Sequence, residues 1–151
     1  MDASNIAPEF KRALAAWDKS AAPLILGSEG RYSLEYMPFE HINTEAKLAI
    51  VGITPGPNQR NDAYDEMRHL LRRRVADEEI LRRVKKHAAF GGHAMRPNLE
   101  RMLDAMGVMT LLGGGRAAEL WASRAHLLHA TSVVPHAAFV GGKPFAGSFE
   151  E

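Results

Sequence analysis

The segment with the clearest chemical meaning in this chain is the apolar run 48–53, Leu-Ala-Ile-Val-Gly-Ile, together with the loop that follows it. Because the run is near-continuous rather than alternating, it predicts a buried strand of a parallel sheet that is covered on both faces. Gly52, Pro55 and Gly56 mark the carboxyl end of that strand. Ligands of open α/β sheets bind beyond the carboxyl ends of the strands, so the pattern predicts a catalytic or binding loop.

The loop carries backbone N–H groups and small polar side chains. The N–H groups between Gly52 and Gly56 can bind a nucleotide or a phosphate. The Thr54 hydroxyl can orient a water molecule by hydrogen bonding, but it cannot serve as a carboxylate base at neutral pH. Asn58 and Gln59 follow in the same loop, and their amide side chains cannot act as carboxylate bases either. An ordinary strand-to-helix turn is the alternative interpretation of this segment.

Phe90 and Ser132 are two further candidate ligand-binding residues. The Phe90 ring can stack on a planar ligand, and the neighbouring Gly91 and Gly92 leave room for a group to approach the backbone. Ser132 lies in residues 130–135, Ala-Thr-Ser-Val-Val-Pro, where a second buried strand is predicted to end at the proline. The alternatives are a core residue for Phe90 and a polar strand residue without a ligand for Ser132.

The middle of the chain is basic. Residues 60–101 hold eleven Lys and Arg against seven Asp and Glu, a local charge of +4 in a chain whose net charge is +1. A basic helix face is one way to contact the phosphates of DNA. A solvated helix whose charges pair with neighbouring acids is the alternative interpretation. The candidate DNA-binding residues are Arg72, Arg82, Lys85 and Lys86.

The chain has no cysteine, and none of its seven histidines shows a metal-binding spacing supported by an acidic ligand. We therefore predict no disulfide, no metal site and no cofactor. His93 and His136 follow the candidate ligand-binding segments, so each is a candidate acid or phosphate contact. An exposed histidine without a ligand is the alternative for both.

Helical and strand patterns alternate along the chain, which predicts an α/β fold with a central parallel sheet and helices on both faces. With 151 residues, of which 46% are hydrophobic, a single domain over residues 1–151 is expected. Helices are predicted from Pro8 to before Pro23, across 62–87 as one or two helices, from Pro97 to Gly107 and near 116–124; a strand is predicted over 127–134, a loop around Gly27 and Gly30, and a strand or extended flap over 32–39.

No apolar run approaches the roughly 20 residues that a membrane-spanning helix needs. The amino terminus also lacks the basic and then apolar layout of a signal peptide. A soluble, cytoplasmic protein without membrane contact is the expectation.

Three segments taken in order, 51–56, 90–108 and 130–135, resemble the uracil-DNA glycosylase superfamily. The first is similar to its water-activating loop. The second is similar to its Phe-x-Gly segment and helix, whose aromatic ring stacks on a flipped base. The third resembles the strand that presents a pyrimidine-reading Asn. The resemblance covers roughly residues 45–145.

This resemblance implies a three-layer α/β/α fold and a DNA glycosylase of base excision repair. Such an enzyme hydrolyses the N-glycosidic bond of a flipped uracil or modified pyrimidine, because the base must leave the stack before that bond can be reached. DNA, single- or double-stranded, is the implied partner. The implied site residues are Gly52, Thr54, Pro55, Gly56 and Asn58 in the catalytic loop, and Ile53, Phe90 and Ser132 around the base.

The sequence departs from the family pattern at three places. Thr54 stands where Asp or Asn often positions the attacking water, and Ser132 stands where the pyrimidine-reading Asn is expected. The smaller Ser132 predicts a pocket that admits a bulkier or modified base. The late His-containing loop that stabilises charge on the leaving base has no counterpart here, so we expect an amino-terminal portion that is inactive in efficient excision by itself.

These departures leave two other functions open. One is a non-catalytic DNA- or nucleotide-binding module of the same fold. The other is an α/β domain that binds a different small ligand through its Gly-Pro loop. A shortened sheet would also leave an unpaired edge, which predicts self-association through that edge.

Overall fold

The computed structural model of the chain describes residues 6–18, 20–92 and 94–148. Within these residues the fold is mixed α/β. The helices are α1 (Pro8–Ala16), α2 (Pro57–Arg72), α3 (Asp77–Ala88), α4 (Met95–Ala105) and α5 (Val108–Leu111), with 3-10 turns at Ala117–Trp121 and Ala125–Leu127, and the strands are β1 (Ile25–Glu29), β2 (Tyr32–Glu35), β3 (Leu48–Gly52), β4 (Leu128–Ser132), β5 (Ala137–Val140) and β6 (Lys143–Pro144).

Strands β3 and β4 form a parallel pair in which Leu48 lies opposite Leu128 and Gly52 opposite Ser132. The predicted parallel strands are therefore confirmed. The prediction that β3 is covered on both faces is wrong, because the Val51 side chain is 57% exposed. Only the alternate residues of β3 pack toward the core, and among the described residues the pair has no third strand. Self-association through these edges stays a prediction.

A separate antiparallel sheet has the strand order β1-β2-β5-β6. Its first hairpin replaces the loop predicted around Gly27 and Gly30. Gly27 lies within β1, and Gly30 makes the turn with a φ of 56°, a left-handed conformation that glycine adopts without strain. Periodicity could not identify β1, because all five of its residues are exposed and no face is selected for burial.

Helices α2 and α3 pack together and form the centre of the core. Side chains that are at most 1% exposed lie on both helices, among them Met67, Leu70, Ile80, Leu81 and Val84. The prediction of helices across 62–87 is confirmed, and α1 packs against α2 as a third helix. None of the described helices combines the length and the apolar character that crossing a membrane requires.

The helix predicted near 116–124 is present as a short 3-10 helix at Ala117–Trp121 rather than an α-helix, and a second 3-10 turn follows at Ala125–Leu127. Gly113, Gly114 and Gly115 precede it with φ values of 87–89°, which end the helical region before it. The Arg124 guanidinium then donates to the carbonyl groups of Leu112 and Gly114. The glycine turn is thus tied to the segment after it.

Candidate functional site: a ring-lined cavity at the strand ends

The carboxyl ends of β3 and β4 lie side by side because the two strands are parallel. Gly52 pairs with Ser132 at the end of the ladder. The pairing continues past both strands, since Val133 N donates to Gly52 O at 2.9 Å and Val134 N donates to Ile53 O at 3.0 Å. The candidate loop after β3 and the candidate Ser132 segment are therefore held in one fixed register.

Gly52, Phe90 and Ser132 meet at this point. A Cβ atom placed on Gly52 would lie 3.3 Å from Ser132 Oγ and 3.4 Å from Phe90 Cε1. These distances are shorter than most side-chain contacts, so a larger residue at position 52 would displace one of its neighbours. The three segments singled out in the sequence thus converge in space.

A cavity of about 880 Å³ opens beside these residues. This volume is within the range of small-molecule binding sites. Aromatic, aliphatic and polar side chains line this space, which we call the ring-lined cavity. The lining includes Phe39, Phe90 and Phe145 as aromatic residues, Met95, Leu99 and Met102 as aliphatic residues, and Thr54, Asn58, Gln59, Asn98 and Ser132 as polar residues, with Pro55 and Gly56 from the loop.

Phe90 has a strained backbone. Its φ of 53° lies in the left-handed region, which costs a bulky residue about 1–3 kcal/mol. The conformation turns the chain immediately after α3, and Gly91 N donates to Ala88 O at 2.9 Å. A Cβ on Gly91 would lie 2.9 Å from that same carbonyl oxygen, so the tight turn requires glycine there. This conformation accompanies the placement of the Phe90 ring beside Gly52.

The Thr54 side chain makes two hydrogen bonds to the backbone, one just before β5 and one within it. Its Oγ1 donates to His136 O at 2.6 Å and accepts from Ala138 N at 3.0 Å. A hydroxyl has a single proton, so none remains for donation to a water molecule. Water could only donate to the remaining lone pair of Thr54. The residue therefore fixes the loop to the antiparallel sheet, a role that the sequence did not indicate.

Helix α2 begins at the loop and directs its amino-terminal end toward the cavity. Gly56 is the N-cap, Pro57 is the first helical residue, and no side chain caps this end. The first helical bond is from Arg60 N to Gly56 O, so the N–H groups of Asn58 and Gln59 have no partner within the helix. Both residues line the cavity. The positive end of the helix dipole thus faces any ligand bound there.

Gln59 is a site residue that sequence reasoning missed. Its side chain is only 8% exposed, yet it lines the cavity. The Nε2 atom donates to Met95 Sδ at 3.4 Å, and thioether sulfur is a weak acceptor. Oε1 makes no hydrogen bond to any described residue. The available signal was its place three residues after the N-cap of a helix that follows a binding loop.

The basic residues lie elsewhere. Arg82, Lys85 and Lys86 line a second cleft of about 440 Å³, which shares no lining residue with the ring-lined cavity. Arg72 is exposed at the carboxyl end of α2, which a rise of 1.5 Å per residue places about 22 Å from the loop. Arg72 and Arg82 are exposed, as residues that contact DNA would have to be.

Lys85 does not belong to an exposed basic face. Its side chain is buried, and Nζ donates to His41 O at 2.6 Å. Burial lowers the pKa of Lys85 to about 8, although the carboxyl group of Glu40 opposes the effect. Arg82 is held by Glu79 through bonds of 2.8 and 2.7 Å, and Lys86 donates to Ala122 O at 2.9 Å. Contacts within the protein thus engage all three cations.

His136, which follows the second candidate segment, has a structural contact. His136 Nδ1 accepts from Met37 N at 3.1 Å, and burial lowers the pKa of His136. The ring is therefore neutral at pH 7, and His136 is not among the lining residues of the cavity. His93 lies outside the described residues. Within the described ranges, no group of three or more His, Asp or Glu side chains is arranged to hold a metal ion.

The cavity also has no carboxylate among its described lining residues. Asp62 on α2 comes near, with Oδ2 3.6 Å from where a Gly91 Cβ would stand, but it is not part of the lining. The site therefore offers stacking surfaces, amides, hydroxyls and a helix amino terminus. Among the lining residues that the structure describes, there is no Asp, Glu or His side chain.

Comparison with known proteins identifies one informative relative. Over 126 residues the chain is 36% identical to the uncharacterized protein YoxB of Bacillus subtilis (strain 168). The aligned region covers 83% of this chain and 49% of that protein, so the chain spans about half the length of the curated relative it matches. No family model matches the sequence, and no solved structure gives a significant match.

Proposed function

We propose that this chain is a uracil-DNA glycosylase-like protein that binds a flipped pyrimidine in the ring-lined cavity and hydrolyses its N-glycosidic bond. The observation that carries the proposal is the meeting of Gly52, Phe90 and Ser132 at the ends of two parallel strands. A resemblance based on three separated segments requires these residues to be neighbours.

The chemistry of the cavity fits a nucleobase. Phe90 supplies an aromatic face for the stacking that a flipped base loses, and base–aromatic stacking contributes about 1–3 kcal/mol per base. In hydrolysis the C1′–N bond breaks and its electron pair leaves with the base. Water adds to C1′, and its proton passes through solvent to the base anion. The free N–H groups of Asn58 and Gln59 face the negative charge that develops on the base.

The proposal extends to the fold and the setting. The parallel pair β3–β4, with its loop at the carboxyl end, supports a uracil-DNA glycosylase-like three-layer arrangement. DNA is the proposed partner, base excision repair the proposed process and the cytoplasm the proposed location. Arg72 and Arg82 are the exposed cations proposed to contact DNA phosphates.

A non-catalytic base-binding module is the second candidate. Two observations favour it: the described lining has no carboxylate, and the only proton of the Thr54 hydroxyl is donated to His136 O. Neither affects stacking or hydrogen bonding of a base. A protein that recognises a flipped base without cleaving it would use the same cavity.

An abasic-site assay separates the two candidates. Single- and double-stranded oligonucleotides with one uracil or one 5-substituted uracil are incubated with the chain, treated with alkali and resolved by length. Phe90→Leu removes the ring. The control is Glu9→Gln, at an exposed position of α1. Cleavage that depends on Phe90 supports the glycosylase. Base-dependent binding without cleavage supports the module. If cleavage and binding are absent, or if neither changes in Phe90→Leu, the two candidate functions are wrong.

A further inference from the structure

The second cleft, the space of about 440 Å³ beside α3, is lined by a buried cation that has no carboxylate partner. We propose that this cleft binds a tetrahedral oxyanion, a phosphate group, through Lys85 and His129. A phosphate group fits because its oxygen atoms accept several hydrogen bonds and carry negative charge. The proposal is independent of the function proposed for the ring-lined cavity, since the two spaces share no lining residue.

Lys85 is an incompletely paired buried charge. Its side chain is 6% exposed, and of the three N–H bonds of its ammonium group one is donated to a described residue, to His41 O at 2.6 Å. No described carboxylate forms an ion pair with it. The charge of Glu40 acts on Lys85, but burial raises the pKa of Glu40 and disfavours its charged form. A buried ammonium group without a counter-ion is destabilised, and a bound oxyanion would supply the missing charge.

His129 supplies a second donor to the same cleft. Its Nδ1 atom accepts from Asn43 N at 3.3 Å, so in the neutral ring the proton is on Nε2. No described residue accepts a hydrogen bond from Nε2. Burial lowers the pKa of His129 and the charge of Lys85 lowers it further, so the two donors lie within electrostatic reach of each other.

The electrostatic field in the cleft is positive, although the carboxylates of Glu45 and Glu78 are among its lining residues. Burial lowers the pKa of His41, and the charges of Lys85 and Arg82 lower it further. The neighbouring carboxylates raise it by less than either cation lowers it. Glu45 and Glu78 are exposed, so water and salt screen them more than the buried ammonium group.

The walls of the cleft are fixed by hydrogen bonds within the protein. Asn43 Nδ2 donates to His126 O and to Leu128 O, both at 2.9 Å. Lys47 N donates to Leu127 O, also at 2.9 Å. These bonds hold the segment before β3 against the start of β4. Binding therefore requires little ordering of the protein, which favours affinity for a small ligand.

Calorimetric titration with inorganic phosphate at pH 7 tests the site. Lys85→Met replaces the ammonium group with an apolar side chain of similar length, and we expect it to weaken phosphate binding at least ~10-fold. His129→Asn keeps an acceptor near Asn43 N but removes the Nε2 donor, so binding should weaken ~3-fold or more. The matched control is Arg83→Gln, which removes a positive charge from α3 at an exposed position outside the cleft lining and should change little.

The pH dependence of sulfate binding gives a second test, because sulfate keeps its double negative charge across the neutral range. Burial lowers the pKa of Lys85 to about 8, so above that pH the amine must take up a proton when the anion binds. Sulfate affinity should therefore fall about 10-fold from pH 7 to 9, and this fall should be absent in Lys85→Met. The other charged or titratable groups around the cleft are retained in that variant: Glu40, His41, Glu45, Glu78, Arg82, Lys86, His126 and His129.

Two sources could supply the phosphate group, and oligonucleotides with a 5′-phosphate or a 5′-hydroxyl distinguish them. Tighter binding of the phosphorylated strand that is lost in Lys85→Met identifies a strand end as the ligand. Equal binding of the two strands, with phosphate binding that depends on Lys85, identifies free phosphate.

The proposal is wrong if the unsubstituted chain shows neither saturable phosphate binding nor a preference for the 5′-phosphate. It is also wrong if Lys85→Met and Arg83→Gln weaken binding equally, because net charge would then explain the effect. If Lys85→Met unfolds at a lower temperature, His129→Asn decides, and an unchanged phosphate affinity in that variant would overturn the site.

Discussion

The two clefts of this molecule differ in what their polar groups already contact. In the ring-lined cavity, Gln59 Oε1 and the first N–H groups of α2 have no partner among the described residues. In the cleft lined by Arg82, Lys85 and Lys86, each cation is bonded to a carboxylate or a carbonyl group of the protein. The described lining of the ring-lined cavity holds no charged side chain, so neutral polar groups distinguish this candidate site from the cleft.

The largest expected effect comes from filling the cavity at its narrowest point. In Gly52→Val, the new side chain would displace Ser132 or Phe90, so we expect base-dependent DNA binding to be lost. We also expect overpacking to lower the free energy of unfolding by about 1–3 kcal/mol. Binding titrations and denaturant unfolding measure the two effects.

The matched control is Gly27→Val, since no atom lies within 4 Å of a Cβ placed on Gly27. This substitution should leave base-dependent binding intact. Equal loss of binding in the two variants would contradict the comparison between the cavity and the rest of the surface.

Phe90 permits the ring and the backbone strain to be tested separately. Phe90→Ala and Phe90→Gly both remove the ring, so both should weaken binding of the base at least ~10-fold. Only glycine relieves the positive φ, so Phe90→Gly should be more stable toward unfolding than Phe90→Ala by about 1 kcal/mol. Equal stability of the two variants would mean that the position is not strained.

Lys85→Met tests the second cleft. The folded state holds the pKa of Lys85 at about 8, below the ordinary lysine value of 10.5. Between these values the unfolded chain keeps a proton that the folded chain has released, so stability increases as pH rises from about 8 to 10.5. Relative to Lys85→Met, the unsubstituted chain should gain at most about 3 kcal/mol over that interval.

Urea unfolding at several pH values measures this difference. The neighbouring titratable groups Glu40, His41 and His129 are present in both proteins, so the comparison isolates Lys85. Base-dependent binding should not change in Lys85→Met. A selective loss of binding would show that the second cleft takes part in recognition.

The smallest effect is expected from the exposed cations. Arg82 is already held by Glu79, so Arg82→Ala should leave the salt dependence of DNA binding nearly unchanged. Arg72 has no such partner among the described residues, and Arg72→Ala should reduce the salt slope by at most about one. A larger slope change for Arg82 than for Arg72 would reverse this order.

Local pattern predicted the helices and the parallel strands because these depend on short-range spacing. The run at 48–53 identified β3, and the periodicity of α3 and α4 identified those helices. Strand β1 was missed because all of its residues are exposed and leave no periodic signal. The segment 32–39, predicted as a strand or extended flap, contains β2, and the helix predicted near 116–124 is a 3-10 helix whose buried residues have helical spacing. The number of strands in the parallel sheet could not be predicted either, since a local pattern does not show whether a third strand pairs with the other two.

The residue types of the candidate site were predicted from the sequence, but the contacts that hold two of them were not. Phe90, Gly52 and Ser132 were recognised because their residue types carry local meaning, and the structure brings them together. The burial of Gln59 and the engagement of Thr54 depend on contacts with Met95 and Ala138, which are distant in sequence. Burial of Lys85 was hidden for the same reason: its acceptor, His41 O, is 44 residues away.

The Thr54 hydroxyl gives the molecule an internal reporter. The amide proton of Ala138 is bonded to this hydroxyl rather than to a strand, so it can exchange with solvent only when the loop after β3 separates from β5. Hydrogen exchange at Ala138 therefore records the opening equilibrium of the binding loop. Ligands that close the loop should slow exchange at this one amide, even where they touch no part of the antiparallel sheet.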